Sequence, residues 1–200
     1  MLNEIVSTVN KFFRPKPEDP KYSGAIDPAT LALYNAARPK GPQPKLCYAP
    51  FRSMYFGHRG KVYSCCYNRQ YVLGTFPERD IKEIWFGEET NRLREHITHN
   101  DLSLGCGGCE NLFHAKNFDA IKAKMYDEYG ESINHFPRLM EFELSNTCNL
   151  ECIMCNGEFS SSIRKNREKK APLEEVYGDD FLQQLEEFIP YLEEVKFYGG

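Results

Sequence analysis

Cys148-Asn-Leu-Glu-Cys152-Ile-Met-Cys155 places three thiols within eight residues of a 200-residue chain. A structural zinc site takes four protein ligands, typically as two separated pairs. A cubane iron-sulfur cluster has four irons, each with one outside ligand, and thiolates usually supply all of them. Three cysteines on one short loop leave an iron open to a substrate or cofactor. That arrangement is catalytic more than structural. The other five cysteines, Cys47, Cys65, Cys66, Cys106 and Cys109, lie upstream in separate clusters.

Compartment decides how such cysteines are read. Residues 1–17, MLNEIVSTVNKFFRPKP, lack a basic segment followed by an uninterrupted apolar run, so they do not read as a secretion signal. A reducing cytoplasm is the default, where eight cysteines serve as metal ligands more readily than as disulfides. A formal charge of -4 gives no global attraction to nucleic acid or to an anionic membrane, and no 18-residue apolar run could span a bilayer. With 41% hydrophobic residues the chain can bury a core. The aromatic residues show no regular spacing suited to stacking bases, so nucleic acid is a minor option.

The elements that must position these thiols follow from pattern. Leu2, Ile5, Val6, Val9, Phe12 and Phe13 recur at helical spacing, which predicts a short packing helix over 2–13. Seven prolines from Pro15 to Pro44 predict an extended linker, within which Asp27-Pro28 caps a short helix through about Ala37. Met54 to Tyr63 reads as a hairpin with Gly57 and Gly60 at its turn. Residues 80–99 read as helical, and a further helix over 115–129 would end at Gly130. Leu139 to Leu144 alternates like a strand and runs directly into the three-cysteine loop. Part of 160–170 reads as helix, Asp179-Asp180 caps an amphipathic helix through Phe188, and Glu194 to Tyr198 reads as a second strand. The last segment is thus strand, loop, helix, strand, one βαβ-type unit. A single unit leaves sheet edges and faces uncovered, so the sequence reads as the front part of a longer protein.

Cys148-x3-Cys152-x2-Cys155 on the loop after a first strand resembles the signature of radical S-adenosylmethionine enzymes. The resemblance implies that the three cysteines hold three irons of a 4Fe-4S cluster and that S-adenosylmethionine chelates the fourth. Reductive cleavage of the cofactor then gives a 5'-deoxyadenosyl radical, which abstracts hydrogen from a substrate. Tyr198-Gly199-Gly200 resembles the start of the family's glycine-rich element, whose backbone binds the methionine amino group. Met154 stands where the family often has an aromatic residue, and it can pack against adenine. These four, Met154, Tyr198, Gly199 and Gly200, are the implied cofactor-binding residues, and no side chain is assigned as a catalytic acid or base.

The upstream cysteines resemble the auxiliary cluster domain called SPASM, or its shorter form, twitch. Cys47-Tyr-Ala-Pro-Phe51, Gly60-x4-Cys65-Cys66, Gly74, Ile81-Lys-Glu-Ile-Trp85, Leu93-Arg94 and Cys106-Gly-Gly-Cys109 follow the order of that module. The resemblance implies a fully ligated second 4Fe-4S cluster on Cys47, Cys65, Cys106 and Cys109. The Gly-x4-Cys spacing selects Cys65, with Cys66 as the alternative ligand. In most family members this module follows the barrel, whereas here it precedes it.

The implied fold is α/β: the start of a partial (β/α)6 barrel over 136–200, preceded by a small α+β twitch-like domain over 45–135 and by the helix and linker of 1–44. The implied partners are S-adenosylmethionine, an electron donor such as flavodoxin or ferredoxin, and a peptide or protein as substrate. The alternative is a non-catalytic zinc or iron-sulfur module that binds a partner or carries electrons. His58, His96, His99, His114 and His135 share no ligand spacing and read as surface or packing residues. Arg164, Lys165, Arg167, Lys169 and Lys170 read as a solvated helix face.

Overall fold

A computed structural model describes residues 24–198. The expected helix over 2–13, the start of the linker, Gly199 and Gly200 lie outside the described residues. The described chain is mixed α/β around a five-stranded sheet. Its strands are β1 (Ser53–Gly57), β2 (Lys61–Tyr63), β3 (Gly74–Thr75), β4 (Leu139–Glu143) and β5 (Glu194–Phe197), in the order β3-β2-β1-β4-β5.

The hairpin is the antiparallel part of this sheet. β1 pairs with β2 through Tyr55 opposite Tyr63 and Phe56 opposite Val62, and β2 pairs with β3. The intervening turn is a 3-10 segment, His58–Gly60, in which Arg59 (φ 66°) and Gly60 (φ 75°) both take left-handed backbone. A Cβ on Gly60 would sit 1.8 Å from the Phe76 carbonyl oxygen, so this position requires glycine. The remaining pairings are parallel: β1 with β4, and β4 with β5. Strands from the cysteine-bearing hairpin and from the βαβ segment therefore share one sheet.

Alternation along these strands gives the sheet two unlike faces. Met54, Phe56, Val62, Met140 and Phe142 enter the main core. On that face they meet Phe181 of α7 (Asp179–Glu186), whose ring packs 5.2 Å from Phe56 and 6.1 Å from Phe142. The opposite face carries Ser53, Tyr55, Glu141 and Glu143, all buried and all polar or hydroxylated. Burial of two carboxylates in a sheet requires partners, and those partners come from outside the sheet, as described below.

Six further α-helices among the described residues surround this frame. α1 (Pro28–Ala36) starts at Asp27, whose side chain accepts the Thr30 N–H at 2.9 Å. α2 (Ala49–Arg52) leads into β1. The region expected to be one helix over 80–99 is two, α3 (Ile81–Phe86) and α4 (Glu88–Thr98), because Gly87 takes an extended conformation (ψ 174°) and Thr90 Oγ1 caps the Ile84 carbonyl at 2.6 Å. α5 (Gly107–His114) carries the second half of the CxxC knuckle, and α6 (Ser161–Asn166) follows the three-cysteine loop with Ser160 as its cap.

The helix expected over 115–129 does not form. Phe118–Ala120 and Lys122–Asp127 are 3-10 segments, separated by an extended Ile121. Tertiary demands override helix propensity here. Ile121, Ala123 and Tyr126 are buried, and the backbone amides of Lys122 and Ala123 are turned to the sulfur of Cys109.

Candidate iron-sulfur sites

Cys47, Cys65, Cys106 and Cys109 line one cavity, walled by Leu46, Leu93, Ile97, Leu102 and Tyr126. Four separate elements deliver them. Cys47 precedes α2, Cys65 follows β2, Cys106 caps α5, and Cys109 lies in its first turn. Every pair among the four is close enough for one thiolate to act on another. Burial, the largest influence, pushes the Cys65 thiol up to about 12 and raises Cys47, Cys106 and Cys109 as well. Left without a cation, these thiols stay protonated. Binding of iron must displace those protons.

The shell around the sulfurs fits a cluster. Backbone N–H groups of Ala49 and Asn68 donate to Cys47 Sγ at 3.4 Å and Cys65 Sγ at 3.3 Å. The Asn68 amide Nδ2 donates to Cys106 Sγ at 3.3 Å and to the Leu104 carbonyl at 2.9 Å. Asn68 thus contacts two of the four sulfurs. No spacing rule singled it out, since an asparagine three residues after a cysteine carries no pattern of its own. Gly105 (φ 74°) makes room for it, because a Cβ there would lie 2.2 Å from Asn68 Oδ1. The N-terminus of α5 adds its positive dipole end beside Cys106 and Cys109. Such donors stabilise sulfur that carries negative charge.

Cys66 is placed differently from its neighbour. It is not among the residues lining the cavity, and the charges that act most on it are those of Glu141, Arg69 and Lys122.

Cys148, Cys152 and Cys155 stand on the loop after β4. Cys152 is exposed and the other two are half-buried. Polar ties close the loop around them. Cys148 N–H donates to Ser161 Oγ at 3.1 Å, Cys155 N–H donates to the Cys152 carbonyl at 3.0 Å, and Ser160 Oγ donates to the Leu150 carbonyl at 2.7 Å. Asn146 Nδ2 holds the Gly157 carbonyl at 2.9 Å across the loop. Between these ties Ile153 and Met154 are each 92% exposed, so the loop presents apolar side chains next to its thiols. Among the described residues, no three Cys, His, Asp or Glu side chains converge tightly enough for a single metal ion.

Two hydrogen-bonded clusters, one on Glu141 and one on Glu143, occupy the polar face of the sheet. Glu141 accepts hydrogen bonds from Ser53 Oγ at 3.3 Å, Tyr126 at 3.2 Å and Tyr198 at 2.6 Å. Tyr126 lines the four-thiol cavity, and Tyr198 immediately precedes Gly199. Glu143 accepts from Tyr55 at 2.5 Å and from Arg69 at 2.9 Å, and His58 Nδ1 lies 3.2 Å away. Burial raises the Glu143 carboxyl, but hydrogen bonds from His58, Arg69 and Tyr55 outweigh it and hold the group at about 2. Alternation alone marks Glu141 and Glu143 as strand residues on one face. Their burial and partners became visible only when β1, β4 and β5 were brought together. His58, expected to be a surface or packing residue, bridges Glu143 and Glu158.

Residues 47–110 match the family model SPASM, an iron-sulfur cluster-binding domain. That segment contains all four cavity cysteines, and iron-sulfur cluster binding is thereby assigned to this part of the chain. No curated protein and no solved structure matches the chain. No helix among the described residues is long and apolar enough to cross a membrane.

Proposed function

We propose that the protein is a radical S-adenosylmethionine enzyme with one auxiliary 4Fe-4S cluster. The observation that carries the reading is the position of the three-cysteine loop. It leaves the carboxyl end of β4, which pairs in parallel with β5 through a connection containing α7. Ligands of parallel α/β sheets bind at the carboxyl ends of the strands, where this loop places three thiols without a fourth. A cluster held there, with S-adenosylmethionine as its remaining ligand, would supply the electron that cleaves the cofactor and releases the hydrogen-abstracting radical.

The chain's own residues then divide the work. Cys148, Cys152 and Cys155 supply thiolates, and Met154, exposed between them, is available to cover the adenine. Tyr198, whose hydroxyl donates to Glu141, stands just past β5, and Gly199 and Gly200, next in the sequence, are the residues proposed to bind the methionine amino group. Cys47, Cys65, Cys106 and Cys109 would hold the second cluster among apolar side chains with one thiolate for each of its four irons. The βαβ segment is read as the start of a (β/α)6 barrel. Flavodoxin or ferredoxin fits as the electron donor, a peptide or protein as substrate, and the cytoplasm as the compartment.

Anaerobic reconstitution followed by iron, sulfide and zinc analysis tests the reading. About eight irons per chain, with S-adenosylmethionine altering the electron paramagnetic resonance signal of only one cluster, is expected. Stoichiometric zinc without iron would replace it with a non-catalytic zinc module.

A further inference from the structure

Asn68 is almost fully buried and lines the four-thiol cavity. A side-chain amide has one acceptor oxygen and two N–H donors. Here Oδ1 accepts the Tyr71 N–H at 3.1 Å, while Nδ2 donates to the Leu104 carbonyl at 2.9 Å and to Cys106 Sγ at 3.3 Å. The Tyr71 N–H can only donate and the Leu104 carbonyl can only accept. The amide therefore has a single orientation, in which an N–H faces the sulfur. The main-chain N–H of the same residue donates to Cys65 Sγ at 3.3 Å.

One residue thus holds two cysteines that arrive on different elements, Cys65 after β2 and Cys106 as the cap of α5. Its own place is fixed as well. Gly105, between Leu104 and Cys106, has left-handed backbone (φ 74°), and a Cβ there would lie 2.2 Å from Asn68 Oδ1. The donors to the other two sulfurs are main-chain N–H groups, from Ala49 to Cys47 and from Lys122 and Ala123 to Cys109. Substituting a side chain leaves those in place. The donation from Asn68 Nδ2 is carried by a side chain and can be removed alone.

We infer that Asn68 is a positioning residue of the upstream site: it fixes Cys65 and Cys106 as ligands and raises the reduction potential of the cluster they share with Cys47 and Cys109. The inference rests on the reading of those four thiols as one cluster site. Cluster sulfur carries negative charge and accepts hydrogen bonds more strongly than a neutral thiol does. Hydrogen bonds to the sulfurs are among the factors that set a cluster's potential. When the cluster takes up one electron from a reductant, its sulfurs become more negative and the same N–H binds them more tightly. The donor therefore favours the reduced state. Residues that orient metal ligands in this way also govern how firmly the metal is held.

The test uses the full chain carrying Cys148→Ala, Cys152→Ala and Cys155→Ala, so that only the upstream site reports. Asn68→Ala removes both side-chain donations and keeps the main-chain bond to Cys65. Asn68→Asp keeps the size of the side chain but turns an acceptor-only, negatively charged group toward Cys106. The midpoint potential should fall from parent to Asn68→Ala and fall further in Asn68→Asp. Iron affinity should drop about 10–100-fold in both, and both should lose part of the deuterium-dependent shift of the iron-sulfur stretching bands in resonance Raman spectra. Gly105→Ala, which displaces an unaltered Asn68, should move the potential in the same direction. A second measurement needs no variant. In the parent, with asparagine isotopically labelled at its side-chain nitrogen, electron-nuclear double resonance should show that nitrogen coupled to the reduced cluster. A merely structural role predicts less iron but an unchanged potential and deuterium shift in the loaded fraction. That result, or a loaded parent without the nitrogen coupling, would overturn the inference and leave the cluster reading standing. A parent that takes up zinc and no iron would overturn both.

Discussion

The Tyr55 hydroxyl on β1 lies 2.5 Å from Glu143 Oε2 at the end of β4, so the hairpin strand and the strand that launches the three-cysteine loop are tied by a buried carboxylate. Arg69 closes the arrangement, donating to Tyr55 at 2.6 Å and to Glu143 at 2.9 Å while its guanidinium lies 4.4 Å from the centre of the Tyr55 ring. The Glu143 carboxyl is held at about 2, below its ordinary value of 4.5. A depressed folded-state value stabilises the fold fully above the unfolded value and is lost as pH falls through the folded one. The contribution is therefore complete above about pH 4.5 and disappears toward pH 2. Glu143→Gln should cost about 3 kcal/mol at neutral pH and flatten the acid limb between those values. Urea denaturation across pH checks both, and an unchanged acid limb would remove Glu143 from the account.

The two neighbouring cysteines should behave oppositely on substitution. Cys65→Ala should lose the upstream cluster, about four irons per chain, while Cys66→Ala keeps it, since Cys66 faces Glu141 and Arg69 and not the cavity. Loading should also accelerate as pH rises from 6 to 9, because the raised thiol values mean that protons must leave before iron binds. Iron analysis and stopped-flow absorbance follow these two effects. Loss of iron in Cys66→Ala with Cys65→Ala harmless would exchange the assignments.

Much of this was legible in the chain itself, for physical reasons that differ by element. β4 and β5 are short alternating runs, and their parallel pairing follows from the amphipathic helix between them. The paired placement of Cys47, Cys65 and the CxxC knuckle rests on a spacing that a hairpin turn enforces. The stretch over 115–129 misled, because its apolar spacing suits a helix while its amides are committed to Cys109. Parallel pairing of β1 with β4 was invisible in the sequence, since 81 residues separate Gly57 from Leu139 and nothing local encodes that contact. Asn68, Glu141 and Glu143 stayed hidden for the same reason: their partners are distant in the chain.

Arg38 and Asp127 form an ion pair in which both side chains are completely buried. Two N–H···O bonds join them, at 2.8 and 2.5 Å, and Asp127 adjoins Tyr126 of the cavity wall. Breaking one half of such a pair leaves an unpaired charge, which costs about 3–5 kcal/mol. Arg38→Met should therefore destabilise strongly in urea, while Arg38→Met with Asp127→Leu should recover most of the loss. A single variant as stable as its parent would show the pair to be dispensable.

Gly60 sets the hairpin turn that leads to Cys65. Its left-handed backbone and the 1.8 Å approach of the Phe76 carbonyl to a Cβ leave no room for alanine. Strain of this kind costs about 1–3 kcal/mol before the clash is relieved. Gly60→Ala should lower the melting temperature and reduce iron at the upstream site, and normal values for both would show that the turn can shift freely.

Glu158, three residues beyond Cys155, gathers cations from both sides of the loop. Arg59 of the hairpin turn reaches both its oxygens at 2.8 Å, Arg164 of α6 lies at 3.0 Å, and His58 Nε2 at 3.6 Å. The Glu158 side chain is 42% exposed, so these pairs add little to global stability, about 1 kcal/mol or less. Their effect is local: they fix the segment after Cys155 to the turn that adjoins Glu143. Glu158→Ala should therefore melt within a few degrees of its parent and keep the upstream cluster intact. If the three-cysteine loop holds the cluster proposed above, that cluster should lose iron faster on exposure to a chelator and give a broader resonance signal with S-adenosylmethionine, because the third thiolate is less firmly placed. Chelator challenge of the two clusters side by side measures this, and equal release rates in parent and variant would show that the loop holds its geometry without Glu158.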